Sequence, residues 1–91
     1  MKEHIVAQFE IKFSRYLTAL GELENTPPTF LEDTTLLLKL YRMMVQTRLF
    51  DKKAIALQRT GKMGTYPSTL GQEAICVGIG AAMQPQDVLC P

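Results

Sequence analysis

Arg59-Thr60-Gly61-Lys62-Met63-Gly64-Thr65-Tyr66-Pro67-Ser68-Thr69-Leu70-Gly71-Gln72-Glu73-Ala74 is the stretch that organises this chain. It reads as the end of one helix, a connection punctuated by glycine and proline, and the start of a second helix. Gly61 is placed to end the first helix in a left-handed cap, and Arg59 sits well near the negative end of the helix dipole. Thr69-x-x-Gln72 has capping-box spacing, in which the Thr hydroxyl takes the backbone N–H at Gln72 and the Gln amide reaches back. On these residues alone the stretch is an ordinary helix-loop-helix joint.

Upstream of it, an acidic start at Glu32 or Asp33 precedes apolar residues at Leu36, Leu40, Met43, Phe50, Ala54 and Leu57, with Thr47 interrupting the stripe. This spacing predicts a helix from about Asp33 to Gly61. A second stripe through Leu37, Tyr41 and Met44 widens the apolar surface, and such width suits a helix packed on more than one side. Downstream, Gln72 to Met83 reads as a short helix carrying Ala74, Gly78, Gly80, Ala81 and Ala82. Each helical glycine costs about 1 kcal/mol relative to alanine, so close approach of another backbone explains Gly78 and Gly80 better than a phosphate cradle. Gln84 to Asp87 ends this helix, and Val88-Leu89-Cys90 has the composition of a buried strand just beginning.

Before the helices, Ala7, Phe9, Ile11 and Phe13 alternate with Gln8, Glu10 and Lys12 at a strand period. Gly21 could turn a hairpin back through Glu22-Leu23-Glu24. A helix over Ile5 to Leu20 is the competing reading, because so short a run does not settle its own period. Asn25-Thr26-Pro27-Pro28 then breaks the chain as a linker. Residues 1–28 are therefore an N-terminal extension and linker, and residues 29–91 a helical unit. The predicted fold class is mostly α, with a short N-terminal strand or hairpin.

Composition excludes more than it assigns. The 91 residues are 46% hydrophobic and 21% charged with a net charge of +1, ordinary globular usage with no electrostatic footprint for nucleic acid or an acidic membrane. No apolar run is long enough to span a bilayer, and no apolar leader follows the N-terminal charges. Lys52 and Lys53, the one basic pair of note, read as a solvated helix face. Cys76 and Cys90 form no Cys-x-x-Cys pair, and His4 stands alone, so neither a disulfide framework nor a zinc site is predicted. Cys76, among Ala74, Ile75, Val77 and Ile79, reads as a buried inert thiol. The predicted compartment is reducing cytoplasm, or an organelle matrix after import. A chain this short buries little of its own surface, so a partner or a second copy is expected to cover the rest.

Arg59-x-Gly61-x-x-Gly64-x-Tyr66 followed by Gly71-Gln72-Glu73-Ala74, behind the helix Leu40-Tyr41-Arg42-Met43-Met44-Val45-Gln46-Thr47-Arg48-Leu49-Phe50-Asp51, resembles the opening of the alpha subunit of thiamine-diphosphate-dependent 2-oxo acid dehydrogenases. The resemblance runs from about Leu36 to Pro91. It leans toward bacterial pyruvate dehydrogenase E1 alpha, where Gly-Gln-Glu-Ala is usual, over branched-chain enzymes with Gly-Glu-Glu and over acetoin dehydrogenase. It implies an α/β thiamine-diphosphate-binding fold for the parent, of which residues 29–91 would be an incomplete N-terminal part. The implied parent decarboxylates a 2-oxo acid and reductively acylates a lipoyl domain, with thiamine diphosphate and magnesium as cofactors and E1 beta and lipoyl E2 as partners.

The family's magnesium and diphosphate ligands, a Gly-Asp-Gly followed by Asn and a Tyr-Arg pair just after the strand that corresponds to Val88 to Pro91, are not found at those places in this sequence, which has no Gly-Asp-Gly. No catalytic, cofactor-binding or metal residue is therefore carried over, and the chain alone is expected to be inactive. Gly78-x-Gly80 lacks the third glycine of a dinucleotide loop. The segment Gly64 to Leu70 matches the part of the family that lines the substrate end of the cofactor pocket. Where mammalian-type enzymes place a histidine, this sequence has Pro67, which can neither donate a proton nor a hydrogen bond. Tyr66 beside it is the one candidate for the substrate pocket, against a structural contact at a subunit junction. Arg59, Gln72 and Glu73 are read as holding the loop and helix. A reading of another class remains open, a short non-catalytic helical module that pairs with E1 subunits.

Overall fold

Asp33 opens the long helix, its carboxylate accepting the Leu36 N–H at 3.0 Å and so satisfying a donor that has no partner inside the helix. In the computed structural model, which describes Met1–Pro91, helix α1 spans Thr34–Arg59. No proline or glycine interrupts it, so every interior turn keeps its hydrogen bond. It stops at Gly61, whose φ of +72° is the left-handed conformation that glycine adopts without a Cβ clash. The Lys62 N–H donates to the Leu57 carbonyl at 3.0 Å and the Gly61 N–H to the Gln58 carbonyl at 3.1 Å. These are the two bonds of a Schellman ending. The expected start and end of this helix both hold.

Helix α2 spans Glu73–Ala82, but the capping box expected before it does not form. Gln72 is the cap residue and its side chain makes no cap hydrogen bond. Thr69 sits one turn too early: its carbonyl accepts the Gln72 N–H at 2.9 Å, closing a tight turn with Gly71 at φ +85° in the position where a turn demands glycine. The Thr69 side chain is engaged by α1 instead, as described below. At the far end Met83 is extended, and Asp87 closes the exit by accepting the Gln84 N–H at 2.7 Å. Val88 and Leu89 are exposed and outside any strand. The strand expected there is absent because no neighbouring strand takes up its backbone donors and acceptors.

The N-terminal expectation is also corrected. Ala7 to Phe13 forms neither strand nor helix, and Phe9, Ile11 and Phe13 are exposed. Alternation supplies a face for a strand, but a face without a surface to pack on does not hold it. The turn at Gly21 does form, with φ +82°, and closes a single antiparallel bridge from Leu17 to Leu23. The Thr18 hydroxyl accepts the Leu20 and Glu22 N–H groups at 3.2 and 3.1 Å, and Arg15 clasps Glu24 with two bonds of 2.6 and 2.7 Å. After Pro28, a short 3-10 turn at Thr29–Glu32 leads into Asp33.

The fold is thus mostly α, two helices meeting at one junction. The inner side of α1 follows Leu37, Leu40, Met44, Thr47, Asp51, Ala54 and Gln58, rotated from the stripe read through Met43 and Phe50, of which Phe50 is 62% exposed. Ala54 and Val77 are the buried apolar residues, and Asp51 and Glu73 the buried charged ones. A Cβ added at Gly78 or Gly80 would meet nothing within 4 Å, so no element of this chain makes the close approach expected there. Cys76 is exposed rather than buried: Glu73 and Val77 face α1 and turn Cys76 to the outer side. The radius of gyration is 19.8 Å, against about 12 Å for a packed domain of this length. No helix is long and apolar enough to cross a membrane.

Candidate functional site

Asp51 lies about two-thirds of the way along α1 on its inner side and is only 3% exposed. A carboxylate so placed must be surrounded by donors, and the connection between the helices supplies them. The Thr69 N–H donates at 2.7 Å and the Ser68 hydroxyl at 2.9 Å. The Tyr66 hydroxyl donates at 3.2 Å and the Thr69 hydroxyl at 3.3 Å. Ser68 in turn accepts the Leu70 N–H at 3.2 Å. Four donors from Tyr66 to Thr69 thus converge on one side chain and fold the loop onto the helix.

Two further contacts frame this loop. With its amide turned so that oxygen and nitrogen exchange places, the orientation that satisfies both groups, Gln58 donates to the Tyr66 carbonyl at 3.3 Å and accepts the Tyr66 N–H at 3.2 Å. The Tyr66 ring meets Phe50 edge-on, with centroids 6.1 Å apart and planes at 68°, the arrangement that aromatic quadrupoles favour. One turn before Asp51, Arg48 forms an ion pair through Nε with Oε1 of Glu73, tying the first turn of α2 to α1. A shallow groove of about 250 Å³ runs beside that pair, between Tyr41, Met44, Val45 and Leu49. It does not reach Tyr66.

Charge follows geometry. The Thr69 N–H, helped by the Ser68, Tyr66 and Thr69 hydroxyls and opposed by burial, holds the Asp51 carboxyl below its ordinary 3.8. The Arg48 hydrogen bond does the same for Glu73, whose ordinary value is 4.5. Burial first, and then the Asp51 carboxylate, pushes the Tyr66 phenol up. Both carboxyls are therefore more acidic folded than unfolded. Their stabilisation is complete above the unfolded values and is lost as pH falls through the folded ones. Helicity and the Thr69 amide resonance should hold from neutral pH to about pH 5 and change together below about pH 4. A spectrum unchanged down to strongly acidic solution would mean that neither contact holds the junction.

Of the residues singled out in the sequence, Tyr66 lies in this cluster and Glu73 beside it. Arg59 lies in the last turn of α1, and the Gln72 side chain makes no cap bond. Asp51 and Arg48 were not singled out. The available signal was an acidic residue in the spacing Met44, Thr47, Asp51, Ala54, followed by a loop rich in hydroxyl and amide donors. No group of three His, Cys, Asp or Glu side chains is placed to hold a metal. Asp51 and Glu73, the buried carboxylates, are already engaged by Tyr66, Ser68 and Thr69 and by Arg48.

Residues 41–91, more than half of the chain and the whole of the Asp51 junction, match the family described as "Dehydrogenase E1 component". The chain belongs to the dehydrogenase E1 component family. Among its relatives, the pyruvate dehydrogenase E1 component subunit alpha of Acholeplasma laidlawii is 45% identical over 64 residues, covering 70% of this chain and 18% of that protein. The Bacillus cereus protein of the same name is 37% identical over 89 residues, covering 96% of this chain and 23% of its own length. A mitochondrial 2-oxoisovalerate dehydrogenase subunit alpha of Caenorhabditis elegans is 34% identical over 77 residues, 82% of this chain and 17% of that protein. This E1 chain spans about a fifth of the length of these relatives. No solved structure matches it.

Proposed function

We propose that this E1 chain is the N-terminal part of a pyruvate dehydrogenase E1 alpha subunit. The whole enzyme would decarboxylate pyruvate with thiamine diphosphate and reductively acetylate a lipoyl group on E2. The observation that carries the reading is the run Arg59 to Ala74, which is tied to α1 through Asp51 and Arg48 inside the segment that matches the family. Relatives named as pyruvate dehydrogenase E1 alpha support it. In this reading residues 1–28 are an extension and linker, and residues 29–91 begin the cofactor-binding domain. The worm relative, named for 2-oxoisovalerate, supports a branched-chain 2-oxo acid as the second substrate reading.

Thiamine diphosphate and magnesium belong to the parent enzyme, and the residues of this chain do not fit them. The buried carboxylates are saturated by protein donors, and no third ligand stands near. What the chain contributes is position: α1 is one continuous helix, and the Asp51 junction fixes the Tyr66 to Thr69 loop that would face the substrate end of the pocket in the parent. Tyr66 is the pocket candidate. E1 beta and lipoyl E2 are the partners this reading requires, in the bacterial cytoplasm. The exposed apolar residues of α1 also support a non-catalytic module that pairs with E1 subunits. Turnover separates the two: a full-length alpha subunit carrying this segment, assembled with its beta subunit, should decarboxylate pyruvate, whereas a module would bind the beta subunit and turn over nothing.

A further inference from the structure

Resting on that reading, we propose that Asp51 is the positioning residue of the loop, fixing Tyr66 so that it meets the 2-oxo acid with its ring while its hydroxyl stays committed to the Asp51 carboxylate. Tyr66 is then an apolar wall of the pocket rather than a proton donor. Three observations carry this. The Tyr66 hydroxyl points back into α1 and donates to Asp51. Its backbone is bracketed by Gln58. Its ring is seated against Phe50 and remains half-buried.

The Asp51 oxygens divide their work. Oδ1 accepts the Tyr66 hydroxyl, the Thr69 N–H and the Thr69 hydroxyl, while Oδ2 accepts Ser68. An amide at this position keeps Oδ1 for the first group. Its NH₂ faces the Ser68 oxygen, which can accept as well as donate. Asp51→Asn should therefore preserve the loop in large part, and Asp51→Ala should release it. Release moves the Tyr66 ring away from the substrate and removes its contribution to binding, a loss that is read in KM rather than in kcat.

The test has two arms. In the 91-residue chain, trypsin cleavage after Lys62 reports loop opening, and circular dichroism confirms that α1 persists. Asp51→Ala should be cleaved about tenfold faster, since cleavage follows the population of the open form, and Asp51→Asn should lie close to wild type. In the assembled enzyme, Asp51→Ala and Tyr66→Ala should raise KM for the 2-oxo acid more than they lower kcat. Tyr66→Phe, which keeps the ring and loses one bond, should show only a few-fold rise and an undisplaced kcat–pH profile. Equal trypsin protection in wild type and Asp51→Ala would overturn the positioning role. A kcat loss in Tyr66→Phe as large as in Tyr66→Ala would overturn the apolar-wall role, since the hydroxyl would then be doing chemistry. Absence of turnover in the wild-type assembly would overturn the functional reading and with it the substrate-facing role, while the trypsin comparison still decides whether Asp51 positions the loop.

Discussion

Val45→Pro is expected to break α1 in two and to destabilise it by about 3 kcal/mol or more. Val45 lies in the middle of Thr34–Arg59, where proline removes an N–H donor and clashes with the preceding turn. The pieces left on either side are each no longer than about 15 residues, the length at which an isolated helix is marginal in water. Little packing compensates, because the inner side of α1 buries only Asp51 and Ala54. Circular dichroism should show a marked loss of helical signal and an early, broad melt. Because Asp51 and Arg48 lie downstream of the break, the Thr69 amide resonance should shift as well. Unchanged helicity would contradict the continuity of α1.

A second large effect concerns association. Leu38, Tyr41, Val45 and Leu49 recur at helical spacing along one flank of α1 and are exposed, as are Phe50 and, on α2, Ile75 and Ile79. Fully burying each such side chain contributes about 1.5 to 3 kcal/mol, and exposed apolar patches of this extent drive association. The 91-residue chain should therefore form dimers with a dissociation constant on the order of micromolar, equivalent to about 8 kcal/mol. Pairing of two α1 helices is the simplest arrangement. Leu38→Glu or Leu49→Glu should shift the equilibrium toward monomer by placing a charge in the seam. Sedimentation equilibrium reads both. A monomer from micromolar to millimolar concentration would mean that the chain covers this face itself.

Legibility in the sequence followed the range of the forces involved. The start, course and end of α1 could be read because Asp33, the uninterrupted helix and Gly61 act within one turn of themselves. The turn at Gly21 was local too, whereas the strand from Ala7 to Phe13 and the one at Val88 depended on partners that the chain does not supply. The capping box failed for a different reason. Thr69 has the right spacing, but an acceptor 18 positions earlier captures both its N–H and its hydroxyl, and no spacing rule sees that far. The same distance hid Asp51, and 25 positions separate Arg48 from Glu73. Cys76 was misread because its apolar neighbours suggested a core, while the face that α2 presents to α1 is narrow and consists of Glu73 and Val77. The resemblance compensated for part of this by placing the loop in a family, and the match over residues 41–91 bears it out.

The most direct test of that assignment is turnover by a reconstituted enzyme. A full-length alpha subunit carrying this segment, co-expressed with its beta subunit and supplied with thiamine diphosphate and magnesium, should release carbon dioxide from pyruvate and acetylate a lipoyl domain. It should do so faster with pyruvate than with the 2-oxo acid of a branched-chain amino acid or with acetoin. Preference for one of the other two substrates would move the chain to another member of the family, and assembly with the beta subunit without turnover of any of the three would contradict the enzymatic reading.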